Sequence, residues 1–248
     1  MSVPENRLRA LALRLFSVTA FSAMGATIKL ASEAGVSLPE IMFWRQFLAL
    51  PVILLWIAAG PGFASLQTRR LPIHARRTVL GLMAMTCTFG ALVLLPLAEA
   101  TTFSFTVPIF ATLLAALFLG EQVGRHRWGA ILAGFAGVLV VLQPGQAPIP
   151  PAGAAAGLAA AFMVGVTSLQ IRDLGRTEAA HTTVFWFTTL SVPLLALVLP
   201  FVARAHGPGD WLLLLAIGTL GGLGQLGMTA SLRYAPVSTV VVVDYVAL

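Results

Sequence analysis

The chain has 248 residues, of which 58% are hydrophobic and only 10% charged. Soluble domains carry about 25% charged residues, so a single water-facing domain is excluded. The net charge of +6 comes from basic residues set between apolar blocks and not interleaved with aromatics. That pattern excludes a nucleic-acid-binding surface and fits the loops of a membrane protein.

A helix needs roughly 20 predominantly apolar residues to cross the hydrocarbon core. Apolar runs of that length without two-residue alternation are helices, and lipid leaves only helices or closed barrels able to satisfy their backbone. The first run covers 15–31 and holds Lys29. Its approach, Asn6-Arg7-Leu8-Arg9, has the form of a signal peptide, but equally long runs follow and it serves as a first anchor. The second run, 41–59, opens with Phe43-Trp44-Arg45 and contains Pro51. The third, 79–97, holds the single cysteine, Cys87, so no intrachain disulfide forms. The fourth, 101–119, contains Pro108 and ends at Gly120-Glu121. The fifth, 128–142, is short and is open to starting a turn earlier. Then come 152–171 with Gln170, 182–202 with Trp186 and Pro193, and 211–230 with Gln225 among glycines. A ninth run opens near Val237 and carries Asp244-Tyr245.

Placing the N-terminus in the cytoplasm and alternating puts Arg7, Arg9, Arg14, Arg69, Arg70, Arg76, Arg77, Arg125, Arg127, Arg172, Arg176 and Arg233 inside. These are 12 of the 15 Lys and Arg, and the positive-inside rule selects that orientation. The runs also repeat. Ala20-Phe21, Gly25 and Lys29-Leu30 are matched by Ala161-Phe162, Gly165 and Gln170-Ile171, and Phe43-Trp44 by Phe185-Trp186, at offsets of about 141 and 142. Leu97-Ala98-Glu99-Ala100-Thr101 is matched by Leu232-Arg233-Tyr234-Ala235-Pro236 at an offset of 135. A unit of five helices is odd, so its second copy enters the membrane from the opposite side, as in many secondary transporters. The reading is an all-α integral membrane protein, an inverted repeat of two five-helix bundles over 1–147 and 148–248. About nine helices lie here, and a completed second repeat predicts ten in a chain of roughly 280–290 residues.

The stretch running from Pro96-Leu97-Ala98-Glu99-Ala100 through Pro108-Ile109-Phe110-Ala111 to Gly120-Glu121 resembles the EamA signature of the drug/metabolite transporter superfamily. Gly129, Gly134 and Gly137, the sequence Leu142-Gln143-Pro144-Gly145, Lys29 and the segment 40–45 extend the likeness over nearly the whole chain. The resemblance implies ten helices, cytoplasmic termini and carriage of small organic solutes, often as efflux. The second Gly-Glu pair that the pattern expects after the ninth helix is absent from this sequence.

A charge within a span costs roughly 2.5–3.5 kcal/mol on insertion scales and defaults to a functional role. Lys29, Arg45 and Asp244 are therefore candidates for the substrate pathway or coupling. Lys29 and Arg45 lie near span ends, where snorkelling is the alternative, while Trp44-Arg45 offers a stacking face and a cation to an anionic group. Asp244 is too short to snorkel far and is read either as the partner of Arg45 or Lys29 or as a substrate- or proton-binding carboxylate beside Tyr245. Gln170, which stands where Lys29 does in the repeat, Trp186, which stands where Trp44 does, and Gln225 join the candidate pathway, with helix–helix hydrogen bonding as their alternative. Pro108, Gly120 and Glu121 are assigned to structure or gating, Gly120 as a helix stop and Glu121 as a partner for Arg125 or Arg127. Trp56, Trp128 and Trp211 fall at span ends as interfacial anchors.

No metalloprotease, nucleophile-elbow or Walker motif occurs, and His74, His126, His181 and His206 are scattered. No catalytic residue, metal or cofactor is predicted. The function read from the sequence is a secondary carrier, an exporter of amino-acid-like or amphipathic metabolites by alternating access, with proton coupling through Asp244 as an option. Its partners are a small-molecule substrate and the bilayer, without nucleic acid, and a homo-oligomer is compatible. An intramembrane enzyme using Asp244 and a non-transporting scaffold are the alternatives. One lysine among 15 basic residues suggests a GC-rich bacterial source, placing the chain in the inner (plasma) membrane.

Overall fold

Asn6 starts the first helix by accepting the Arg9 backbone N–H on its side-chain oxygen at 3.0 Å, as N-caps do. The computed structural model describes residues 6–120, 123–142 and 149–247, all helices and connecting turns. Helix α1 (Arg7–Glu33) turns through Gly35, whose φ of 86° favours glycine, into α2 (Leu38–Ala59). Ser37 opens α2, its N–H and hydroxyl both donating to the Glu40 carboxylate at 3.2 and 2.9 Å. A 3₁₀ turn, Phe63–Leu66, leads to α3 (Leu71–Leu94), which has Pro72 in its first turn.

The fourth run, expected as one span, is two helices, α4 (Leu97–Ser104) and α5 (Val107–Leu119). Pro108 has no N–H to offer the Ser104 carbonyl, so the ladder breaks at Phe105-Thr106. Gly120 stops α5 in the left-handed region at φ 64°. Then follow α6 (Arg125–Leu142), α7 (Pro151–Leu174), α8 (Ala180–Ala196), α9 (Pro208–Tyr234) and α10 (Val237–Val240). Helix α6 does begin a turn before Trp128. The ninth run does not continue as an α-helix. After one turn it tightens into a 3₁₀ stretch, Val241–Ala247, where consecutive β-branched valines crowd the helical χ1 rotamers.

Among the described residues six segments, α1, α2, α3, α4 with α5, α7 and α9, are long and apolar enough to cross a membrane. Leu55, Leu117, Phe118, Leu197 and Leu212 are exposed on the outside of the bundle, the covering a lipid-facing surface requires. Between helices, glycine permits close approach. A Cβ on Gly218 would stand 2.5 Å from the Leu48 Cβ, one on Gly224 2.8 Å from the Phe21 ring, and one on Gly165 3.2 Å from the Ala111 backbone nitrogen. These contacts seat α9 on α2 and α1, and α7 on α5. Core clusters fill the remaining space, one built on Ile28, Ile41, Leu214 and Ile217.

Each end of the bundle is tied by a carboxylate–imidazole pair. At the end carrying Arg7, His74 Nε2 lies 2.6 Å from Glu178 Oε2, Thr68 donates to the same carboxylate, and Arg70 pairs with Asp173 at 2.5 Å. At the opposite end His206 Nε2 lies 3.1 Å from Glu40 Oε1, and the Arg204 backbone N–H donates to that oxygen at 3.0 Å. The pattern is reciprocal: a helix in the first part of the chain and a loop in the second supply each pair.

Candidate substrate cavity

Helices α1, α2, α3, α7 and α9 converge on a cavity of about 420 Å³. Apolar residues dominate its wall, among them Phe21, Met24, Met85, Phe89 and Phe105. Among the described residues four ionisable groups enter that wall: Arg14 from α1, Arg45 from α2, Arg77 from α3, and Asp244. The three arginines are 5%, 4% and 3% exposed, respectively.

Arg14 and Asp244 form a two-bond ion pair. Arg14 Nε donates to Oδ1 at 2.6 Å and Nη2 to Oδ2 at 2.5 Å, the fork-to-carboxylate match that planar guanidinium favours. Arg45 Nη1 donates to Gln46 Oε1 at 2.6 Å and Nη2 reaches Gln225 Oε1 at 3.4 Å, while its Nε has no partner. The Arg77 guanidinium lies over the Phe187 ring, 4.0 Å from its centroid, with Nε and Nη1 unpaired. Gly81, one turn further along α3, leaves the space that this stacked pair occupies. Arg45 and Arg77 are close enough for their like charges to repel.

The sequence profile of the EamA-like transporter family matches residues 8–143 and again 151–248. This chain belongs to the EamA-like transporter family. A pseudopaline exporter of Pseudomonas aeruginosa is 30% identical over 236 residues, covering 92% of this chain and 80% of that protein. A riboflavin transporter of Vibrio cholerae is 28% identical over 256 residues, covering 100% of this chain and 84% of that protein. A shorter match of 105 residues, 33% identical, joins 42% of this chain to 36% of an S-adenosylmethionine uptake transporter of Rickettsia bellii. A solved crystal structure shares the fold at a TM-score of 0.76 and 23% identity, covering 98% of this chain and 85% of that one.

Within this EamA-like transporter, Arg45, Gln225 and Asp244 line the cavity wall. Asp244 does not pair with Arg45 or Lys29, however. Helix α1 begins at Arg7, not near Leu15, so Arg14 is held two turns inside it and meets Asp244. Arg45 enters from the opposite end of the bundle. Lys29 is outside the cavity wall and donates to the Leu95 carbonyl at 3.1 Å, completing the end of α3. Trp44 packs edge-on against Trp211 at 4.8 Å between centroids, and the Trp186 indole N–H donates to the Leu66 carbonyl at 3.0 Å. Both tryptophans tie helix ends, not the cavity. Gln170 is buried in α7, away from the wall, with both amide atoms unpartnered among the described residues. Tyr245 falls in the 3₁₀ stretch, its side chain outside the described residues, and Glu121 also lies outside them.

Arg14 and Arg77 are the residues the sequence reading missed, having been counted with the cytoplasmic loops. The signals were present: Asn6 as an N-cap and Pro72 as a first-turn proline both place the helix starts about two turns before the apolar runs.

Proposed function

We propose that this chain exports small organic metabolites across the bacterial plasma membrane by alternating access. In this reading its N-terminus is cytoplasmic, and residues 1–147 and 148–248 act as inverted repeats. The observation that carries it is a charged cavity in an otherwise apolar bundle, lying between two end ties of reciprocal origin. Opening Glu40–His206 while Glu178–His74 stays closed, and then the reverse, would expose the cavity to each side in turn. Relatives named for pseudopaline and riboflavin support metabolite-sized cargo, and the exporter among them supports the outward direction.

Asp244 supplies a route to proton coupling, because protonating it would release Arg14 from a two-bond pair. Among the described residues no second carboxylate lines the wall, which weighs against an intramembrane enzyme of the paired-acid kind.

The test is flux in proteoliposomes. Protein reconstituted at known density should move at least one radiolabelled metabolite from a panel that includes riboflavin, driven by a solute or proton gradient, with trans-stimulation by unlabelled solute. Asp244→Asn should flatten the pH dependence of that flux. Flux equal to protein-free liposomes across the panel would end the carrier reading, and unchanged pH dependence in Asp244→Asn would end proton coupling at that residue.

A further inference from the structure

The cavity holds an internal contrast in how it treats arginine. Arg14 ends on the Asp244 carboxylate, and at the bundle's end Arg70 ends on Asp173. Arg45 and Arg77 are as deeply buried as Arg14, yet among the described residues neither meets a carboxylate. Taking a guanidinium out of water without a counter-charge is costly even after its surroundings relax. The amide oxygens of Gln46 and Gln225 offset part of that for Arg45, and the Phe187 ring part of it for Arg77. Neither supplies negative charge.

We infer that Arg45 and Arg77 form a binding site for an organic anion of about two negative charges, carried on carboxylate or phosphate groups, with its carbon body against the apolar wall. The inference rests on the carrier reading for the cavity's role as a transport site. The formal charge of the wall fits it, since Asp244 cancels only one of three guanidinium charges. The free donors fit it too. Arg45 Nε and Arg77 Nε and Nη1 are buried without acceptors, and stacking on Phe187 fixes the plane of the Arg77 guanidinium. Guanidinium is suited to such sites by its planar fork and weak hydration. Gly81 and Gly221 make room for the two heads, for a Cβ on Gly221 would lie 3.0 Å from Arg45 Nε and one on Gly81 would overlap Arg77 Nη1. A volume of about 420 Å³ is within the range of small-molecule sites, and Phe21, Met85, Phe89 and Phe105 favour a carbon body over a bare inorganic ion.

Thermal unfolding of the purified membrane protein in detergent tests this directly. Phthalate and phenyl phosphate serve as the carboxylate and phosphate probes, with phthalamide and benzyl alcohol as neutral counterparts and sodium chloride at matched ionic strength. At least one organic anion should raise the unfolding temperature saturably by several degrees, and whichever does so identifies the charged group. The neutral compounds and chloride should not. The rise should vanish in Arg45→Gln and in Arg77→Gln, and these variants should unfold without ligand at the same or a higher temperature than the parent, since each removes an uncompensated buried charge. Three results would each overturn the site: no rise with either anion, a rise retained in both variants, or variants that unfold several degrees lower with no anion present. Flux assays separate this from the carrier reading. An anion that binds through both arginines but is never moved removes the carrier and leaves the site; metabolite flux untouched by both substitutions removes the site and leaves the carrier.

Discussion

Replacing Asp244 by Asn tests how much the bundle depends on the ion pair in its cavity wall. The carboxylate holds Arg14 through two bonds, and the side chains of Arg14 and Asp244 are 6% and 17% exposed. Removing one partner of a buried pair costs about 3–5 kcal/mol, because the remaining charge is left uncompensated. Asn keeps one carbonyl oxygen, enough for one of the two bonds, and the partial exposure of Asp244 lets some screening reach Arg14. The expected loss is therefore smaller, about 2–3 kcal/mol. The assay is SDS titration of the purified protein in mixed micelles, followed by loss of helical signal. A double-mutant cycle isolates the pair: Arg14→Met and Asp244→Val each strand one charge, while the two together remove both. The double variant should lose less than the sum of the singles, giving a coupling of about 2 kcal/mol. Single variants within about 0.5 kcal/mol of the parent, or strictly additive losses, would refute the pairing.

Glycine positions make a graded set. Gly165→Leu should cost about 1–3 kcal/mol by the same titration, since α7 sits against the Ala111 backbone there, whereas Gly90→Leu, with open space around it, should be close to neutral. Gly120→Ala should lose about 1 kcal/mol from a left-handed helix stop. The end ties predict a spatial signature in hydrogen exchange. Glu178→Gln should speed exchange in the first turns of α3 and α8 and leave the Glu40–His206 end protected. Glu40→Gln should do the reverse, at the starts of α2 and α9.

The helical membrane fold was legible because burial in lipid and backbone satisfaction dictate long apolar runs, and those runs dominate the chain. What escaped was detail set by single backbone atoms. The missing N–H of Pro108 splits the fourth run, and crowded valines tighten the stretch before Asp244. The candidate site was half legible. Arg45, Gln225 and Asp244 stand out as polar groups inside apolar runs, so hydropathy finds them. Arg14 and Arg77 do not, because each lies next to the basic start of its helix and is indistinguishable from a loop residue until the cap is read. Trp44 and Trp186 stand at matching positions in the repeat, and both side chains make their contacts at helix ends, apart from the cavity wall.

Alternating access stands or falls on whether the cavity can be reached from both sides of the membrane. Ala84 lines the cavity and is almost fully buried, so Ala84→Cys in a Cys87→Ser background places one thiol there. The protein should be labelled by a membrane-impermeant thiol reagent added to either side of oriented vesicles, and a cavity-filling solute should slow labelling from both. Labelling from neither side, or from one side only whatever solute is present, would contradict alternating access through this cavity.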